Sequence, residues 1–120
     1  MEIAADVAVC LVALLHVYFM VLEMFLWKHP HGRRAFGMTA ERAEMTASLA
    51  ANQGLYNGFL AAGLFWGLSL GAAGFSIKVF FLLCLIIAGV FGAATAHRRI
   101  LFVQAFPALV ALALVWLARG

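Results

Sequence analysis

The chain has 120 residues, enough for one domain, of which 67% are hydrophobic and 11% charged. A soluble chain of this size cannot hide that much apolar surface, because small domains leave a large share of their surface in water. The net charge of +3 comes from Lys and Arg residues scattered over loops, with no basic face and no interleaved aromatics, which excludes a nucleic-acid reader.

The apolar residues fall in long runs rather than at one-sided helical spacing, the mark of an integral membrane protein. Residues 3–27, 48–73, 75–96 and 100–117 form runs long enough to cross a hydrocarbon core of about 30 Å, which takes roughly 20 helical residues. Backbone polar groups must be satisfied inside lipid, and runs this continuous suit helices rather than barrel strands. Short connections imply antiparallel neighbours. The predicted fold is therefore an all-α membrane protein, an antiparallel four-helix transmembrane bundle forming a single domain over 1–120.

The N-terminus carries Glu2 and Asp6 and no basic residue. It lacks the positive start and small-residue cleavage site of a signal peptide, so the first span is expected to stay in the protein. His16 and Glu23 in that span are seven residues apart and share one face, about 10 Å apart along the axis at ~1.5 Å per residue. Phe19, Met20 and Trp27 line the same stripe. Cys10 here and Cys84 in the third span lack a partner motif and read as small packing or lipid-facing residues, not a disulfide.

The loop over 28–47 opens with "WKHPHGRRAFGM", where Pro30, Gly32 and Gly37 are expected to break helix. It continues as "TAERAEMTASLA", a helix with Thr39 as N-cap and Glu41 in the first turn, running into the second span. His29 and His31 have no further ligands beside them and read as a solvated loop pair, so no metal is expected.

The second span begins "SLAANQGLYNGFLAAGLFWG", with Asn52, Gln53, Tyr56 and Asn57 close together. Asn52 and Tyr56 share one face, and Gln53 and Asn57 form an adjacent row. Gly63, Gly67 and Gly71 recur every four residues, as do Ala88, Gly92 and Ala96 in the third span. Such rows let helix backbones approach closely; they hold the bundle together or serve a homodimer. His97, Arg98 and Arg99 are expected at lipid headgroups of the inner leaflet. Pro107 removes one helix hydrogen bond and predicts a kink in the fourth span.

Lys28, Arg33, Arg34 and Arg42 in the first loop, with Arg98 and Arg99 in the third, outnumber Lys78 and Arg119 on the opposite side. The positive-inside rule then puts the 28–47 loop in the cytoplasm and both termini outside, in the periplasm for a bacterial inner membrane. Trp27 and Trp116 suit the two aromatic belts.

This topology brings Glu23, Asn52, Gln53, Tyr56, Asn57, Thr95 and Gln104 to one layer in the cytoplasmic half. In one reading Glu23 snorkels to the interface or pairs with a loop Arg, and the amides join helices. In the other, the layer is a polar pocket open toward the cytoplasm, with Glu23 and His16 as catalytic acid–base groups. Asn52, Gln53, Tyr56, Asn57, Gln104 and Thr95 would then orient a ligand. The variety of polar types at one depth favours the pocket, since helix joining needs one or two of them. Glu23 and His16 are too far apart for a direct hydrogen bond, so a substrate or water would lie between them.

No phosphate loop, nucleophile elbow or zinc-protease motif is present, and neither a cofactor nor a metal is indicated. The favoured function is binding or acid–base processing of a small lipophilic molecule by a membrane protein. The alternatives are a proton-coupled small-molecule transporter acting as a dimer and a non-catalytic subunit of a membrane complex.

The segments "HVYFMVLEMFLW" (16–27), "ANQGLYNGFLAAGLFWG" (51–67) and "FFLLCLIIAGVFGAATAHRRILFVQAFPALVALAL" (80–114) together resemble small bacterial membrane proteins of domain of unknown function family 1304. The resemblance covers nearly the whole chain, and the "NQGLYNGFLA" block is specific. The family pattern includes the residues that stand here as His16, Glu23, Asn52, Gln53, Tyr56 and Asn57. It implies a four-helix membrane protein and carries no established activity.

Overall fold

The computed structural model describes residues 1–95, 99 and 101–119. The expectations for His97 and Arg98, and for span ends at Ala96 and Ile100, lie outside the described residues. Among the described residues the protein is all helical, with no strand. Helix α1 covers Glu2–Met24, α2 Pro30–Phe36, α3 Ala40–Ser69, α4 Phe75–Thr95 and α5 Phe106–Ala118. A 3-10 turn, Gly71–Gly74, precedes α4, and a π-helical turn, Leu101–Ala105, precedes α5.

Among the described residues, three stretches are long and apolar enough to cross a membrane: Glu2–Met24, Gly71–Thr95 and Leu101–Ala118, with mean hydropathies of 2.3, 2.5 and 2.2. The sequence predicts four. The 30-residue α3 has the length, but its charged first turns and the group from Asn52 to Asn57 keep it out of that set.

The chain divides into two compact units, Leu14–Ala61 and Met1–Ala13 with Ala62–Gly120. In the 14–61 unit, α1 stops at Met24, short of the expected Trp27. Pro30 and Gly37, expected to break helix, instead bracket one. Proline in the first turn gives up no hydrogen bond, because that N–H has no intrahelical partner. Gly37 closes α2 at φ 63°, its N–H directed to the carbonyls of Arg33 and Arg34, a left-handed conformation that glycine adopts without strain.

Thr39 caps α3 as predicted: its Oγ1 accepts the Arg42 N–H at 3.1 Å. The helix then runs without a break to Ser69. Its first turns are tied to the preceding loop. Trp27 Nε1 donates to Thr46 Oγ1 at 3.0 Å, and that hydroxyl donates to the Arg42 carbonyl at 2.8 Å. The Trp27 ring also packs on Phe36, centroids 4.8 Å apart.

In the other unit, the turn between α3 and α4 depends on glycine. Gly71 has φ 60°, and a Cβ on Gly74 would lie 1.9 Å from the Gly67 carbonyl oxygen. Gly63 and Gly67 face α4, where a Cβ would meet the Phe81 ring at 2.4 Å and Lys78 Cγ at 2.7 Å. The first two glycines of the predicted row thus serve close packing inside the chain, and the third serves the turn. On α4 the close approach falls one place from the predicted row. Ala88 is exposed, whereas Gly89 is buried against Ala105, with 2.7 Å between an added Cβ and the Ala105 backbone nitrogen. Leu82, Leu85, Ala108, Ala111 and Val115 fill this core. Pro107, expected to remove a hydrogen bond and kink the fourth span, instead stands in the first turn of α5, just after the π turn, where its missing N–H costs no α-helical bond.

Candidate functional site

The buried face of α3 in the 14–61 unit is made of Ala43, Ala50, Gly54, Asn57 and Ala61. Their spacing of seven, four, three and four places them on one stripe. All are small except Asn57, so one amide stands alone in an otherwise featureless seam. Glycine sets the approach to α1: a Cβ on Gly54 would lie 2.7 Å from Met24 Cγ and 3.0 Å from Glu23 Cβ.

At this closest approach Asn57 Nδ2 donates a hydrogen bond to Glu23 Oε1. Both residues are buried, at 5% and 9% exposure. The amide oxygen of Asn57 is buried too and has no hydrogen-bond partner. Turning the amide over does not resolve this. With Glu23 ionised, the amide N–H donates and Oδ1 is orphaned. With Glu23 protonated, the acid O–H can donate to Oδ1 while the amide N–H donates to the other carboxyl oxygen, which closes a cyclic pair. The ionised pair is thus one hydrogen bond short at Oδ1, and an unsatisfied buried polar group costs about 1–3 kcal/mol.

His16, one turn-pair up α1 on the Glu23 face, is fully buried. Its ring meets Phe19 edge-on, centroids 5.2 Å apart. The remaining predicted residues are placed differently. Asn52, Gln53 and Tyr56 are exposed, and the Tyr56 ring rests against Phe59 at 6.1 Å. At about 100° per residue, Tyr56 and Asn52 point well away from Asn57. Thr95 and Gln104 belong to the other unit. Thr95 ends α4 with its hydroxyl donated back to the Phe91 carbonyl at 2.7 Å, a common way for a helical threonine to satisfy itself. Gln104 sits half-buried in the π turn.

Two contributions were not anticipated. Gly54 and Gly58 shape the seam, and their signal was present in the small-residue spacing around Asn57. Tyr18 also contributes: its hydroxyl meets His31 Nε2 at 2.8 Å, joining α1 to α2 through a histidine expected to be merely solvated. Among the described residues, no group of three His, Cys, Asp or Glu side chains is placed to hold a metal.

A chain that is all helical over its described residues, with three stretches apolar enough to span a membrane, is a membrane protein, and it buries an acid–amide pair. Residues 10–116 match the family described as Protein of unknown function (DUF1304), and the chain belongs to that family. The matched region contains each of the predicted site residues. The chain is also similar to the uncharacterized protein YpaA of Lactococcus lactis subsp. lactis (strain IL1403), with 32% identity over 114 residues, covering 93% of this chain and 96% of that protein. No solved structure matches.

Proposed function

We propose that the chain is an antiparallel four-span protein of the bacterial inner membrane that receives the polar head of a small lipophilic molecule at Glu23 and Asn57. The C-terminal part of α3 supplies the fourth crossing. The 28–47 loop lies in the cytoplasm and both termini lie outside, as the distribution of Lys and Arg supports.

The observation that carries this reading is the unsatisfied Asn57 amide beside a buried carboxylate. Buried polar groups in native proteins are hydrogen-bonded as a rule, and an orphan calls for a partner. A ligand hydroxyl donating to Asn57 Oδ1 would complete the pair and set Glu23 beside the headgroup as proton acceptor or donor. His16, buried on the same face, is the second acid–base group, reached through ligand or water. The apolar side chains around them accept a hydrocarbon tail, consistent with an isoprenoid, quinone or sterol-like compound.

The test is purification in mild detergent followed by solvent extraction and mass spectrometry. A discrete lipophilic compound is expected with the wild type, and it should be depleted in Asn57→Leu and altered in amount in Glu23→Gln. If wild type and Asn57→Leu carry the same lipids in the same proportions, the pocket reading fails. Reporter fusions at either terminus test the orientation, and cytoplasmic signal from both would reverse it.

A further inference from the structure

A hollow with a volume of about 320 Å³ lies within the unit formed by Met1–Ala13 and Ala62–Gly120. It plays no part in the function proposed above. Its wall includes Glu2 and Asp6 from the first turns of α1, Phe75 and Lys78 from the first turn of α4, and Arg119 just after α5. Two carboxylates and two cations thus share one space, with no net formal charge.

The cations are arranged to receive something. The Lys78 side chain is only 10% exposed, and its ammonium meets Asp6 Oδ1 at 3.8 Å, a long contact for a group with three donors. Its stem is accommodated by design of the backbone, since a Cβ on Gly67 would collide with Lys78 Cγ. Arg119 lies 4.0 Å from the centroid of the Trp116 ring and 5.8 Å from that of Phe75. Stacking occupies the faces of a guanidinium and leaves its in-plane N–H edges available to an anion.

A bare anion in this hollow would face two carboxylates, and a bare cation would face Lys78 and Arg119. A ligand with both charges meets neither penalty. The volume is near the lower end of small-molecule sites, roughly 300–1,000 Å³, which suits a headgroup and not a whole lipid. The wall is built from the ends of all three membrane-capable stretches, the depth at which headgroups lie, and Trp116 is a residue type enriched there. We infer that this hollow binds an aminoalkyl phosphate, supplied by the headgroup of an ethanolamine phospholipid. Its phosphate is held by Lys78 and Arg119 and its ammonium by Glu2 and Asp6.

The experiment is native mass spectrometry of the delipidated full-length protein, titrated with phosphatidylethanolamine, phosphatidylglycerol or free phosphoethanolamine. Phosphatidylethanolamine should be retained about tenfold better than phosphatidylglycerol, and Arg119→Gln and Lys78→Met should each weaken it about tenfold, as expected for a charge-assisted contact. Glu2→Gln should narrow the preference between the two lipids, and Glu41→Gln, at an exposed residue outside the hollow, should leave it unchanged. Competition by free phosphoethanolamine would show that the headgroup alone suffices; its failure to compete would show that the acyl chains contribute, and both results support the site. Equal retention of the two lipids, or undiminished retention by Arg119→Gln, overturns it. Arg119 is exposed, so that variant tests the site without disturbing the core even if Lys78→Met does not fold.

Discussion

Gly54→Ala and Gly58→Ala make a matched pair of perturbations on the seam that carries Asn57. Both add one methyl group to the same face of α3, and both gain up to about 1 kcal/mol from alanine's better helix propensity. They differ in what the methyl meets. At Gly54 it would stand 2.7 Å from Met24 Cγ, 3.0 Å from Glu23 Cβ and 3.2 Å from the Met20 carbonyl oxygen. Two of these atoms are fixed by the α1 backbone, so relief requires moving helices apart. Overpacking of this kind costs about 1–3 kcal/mol, and with backbone-anchored neighbours the upper half applies, leaving a net loss of about 1–2 kcal/mol after the propensity gain. At Gly58 the methyl meets chiefly Met20 Sδ at 2.7 Å, the far end of a flexible thioether that can swing aside. Gly58→Ala should therefore be neutral or up to about 1 kcal/mol more stable. Reversible unfolding in mixed micelles, followed by circular dichroism, reads the difference directly. If Gly54→Ala proves as stable as the wild type, or Gly58→Ala loses as much, the close approach of α3 to Glu23 is not as described here.

The Glu23–Asn57 contact should appear in a double-mutant cycle of Glu23→Ala and Asn57→Ala as a coupling of about 0.6 kcal/mol, the mean for hydrogen bonds between membrane helices, and no more than about 1.7 kcal/mol; zero coupling would mean that the pair does not form. Thr39→Ala should cost about 1 kcal/mol through loss of the α3 cap, and Thr39→Asp should retain most of it. Gly74→Ala should abolish accumulation of folded protein in membranes, because its Cβ would meet a backbone oxygen that cannot yield. Gly71→Asn should accumulate normally, since that site is open and asparagine tolerates φ near +60°.

The helical class and the three most apolar stretches were legible from composition and run length, because lipid leaves the backbone few choices. The continuity of α3 with its Thr39 cap was legible too, from local capping chemistry. The α2 helix was not, because Pro30 and Gly37 carry opposite meanings at a helix boundary and in its interior, and only position decides. The Glu23–Asn57 pair could be anticipated from depth, but depth is one coordinate. Rotation about the α3 axis, set by the small stripe from Ala43 to Ala61, separates Asn57 from Asn52 and Tyr56, while Gln53 keeps to Asn57's side of the helix and is nonetheless exposed, and the polar residues alone do not reveal it. The same holds for α4, where packing chose Gly89 over the more regular row beside it.

The uninterrupted course of α3 has a mechanical consequence. Its 30 residues span ~45 Å at about 1.5 Å per residue. Its first turns carry Glu44, ion-paired to Lys28 at 3.7 Å, and Thr46, bonded to Trp27. With no proline or bulge between that head and Asn57, the helix is a stiff axle. A twist imposed at its exposed end turns the buried amide with it, so whatever grips the head also has a handle on Glu23.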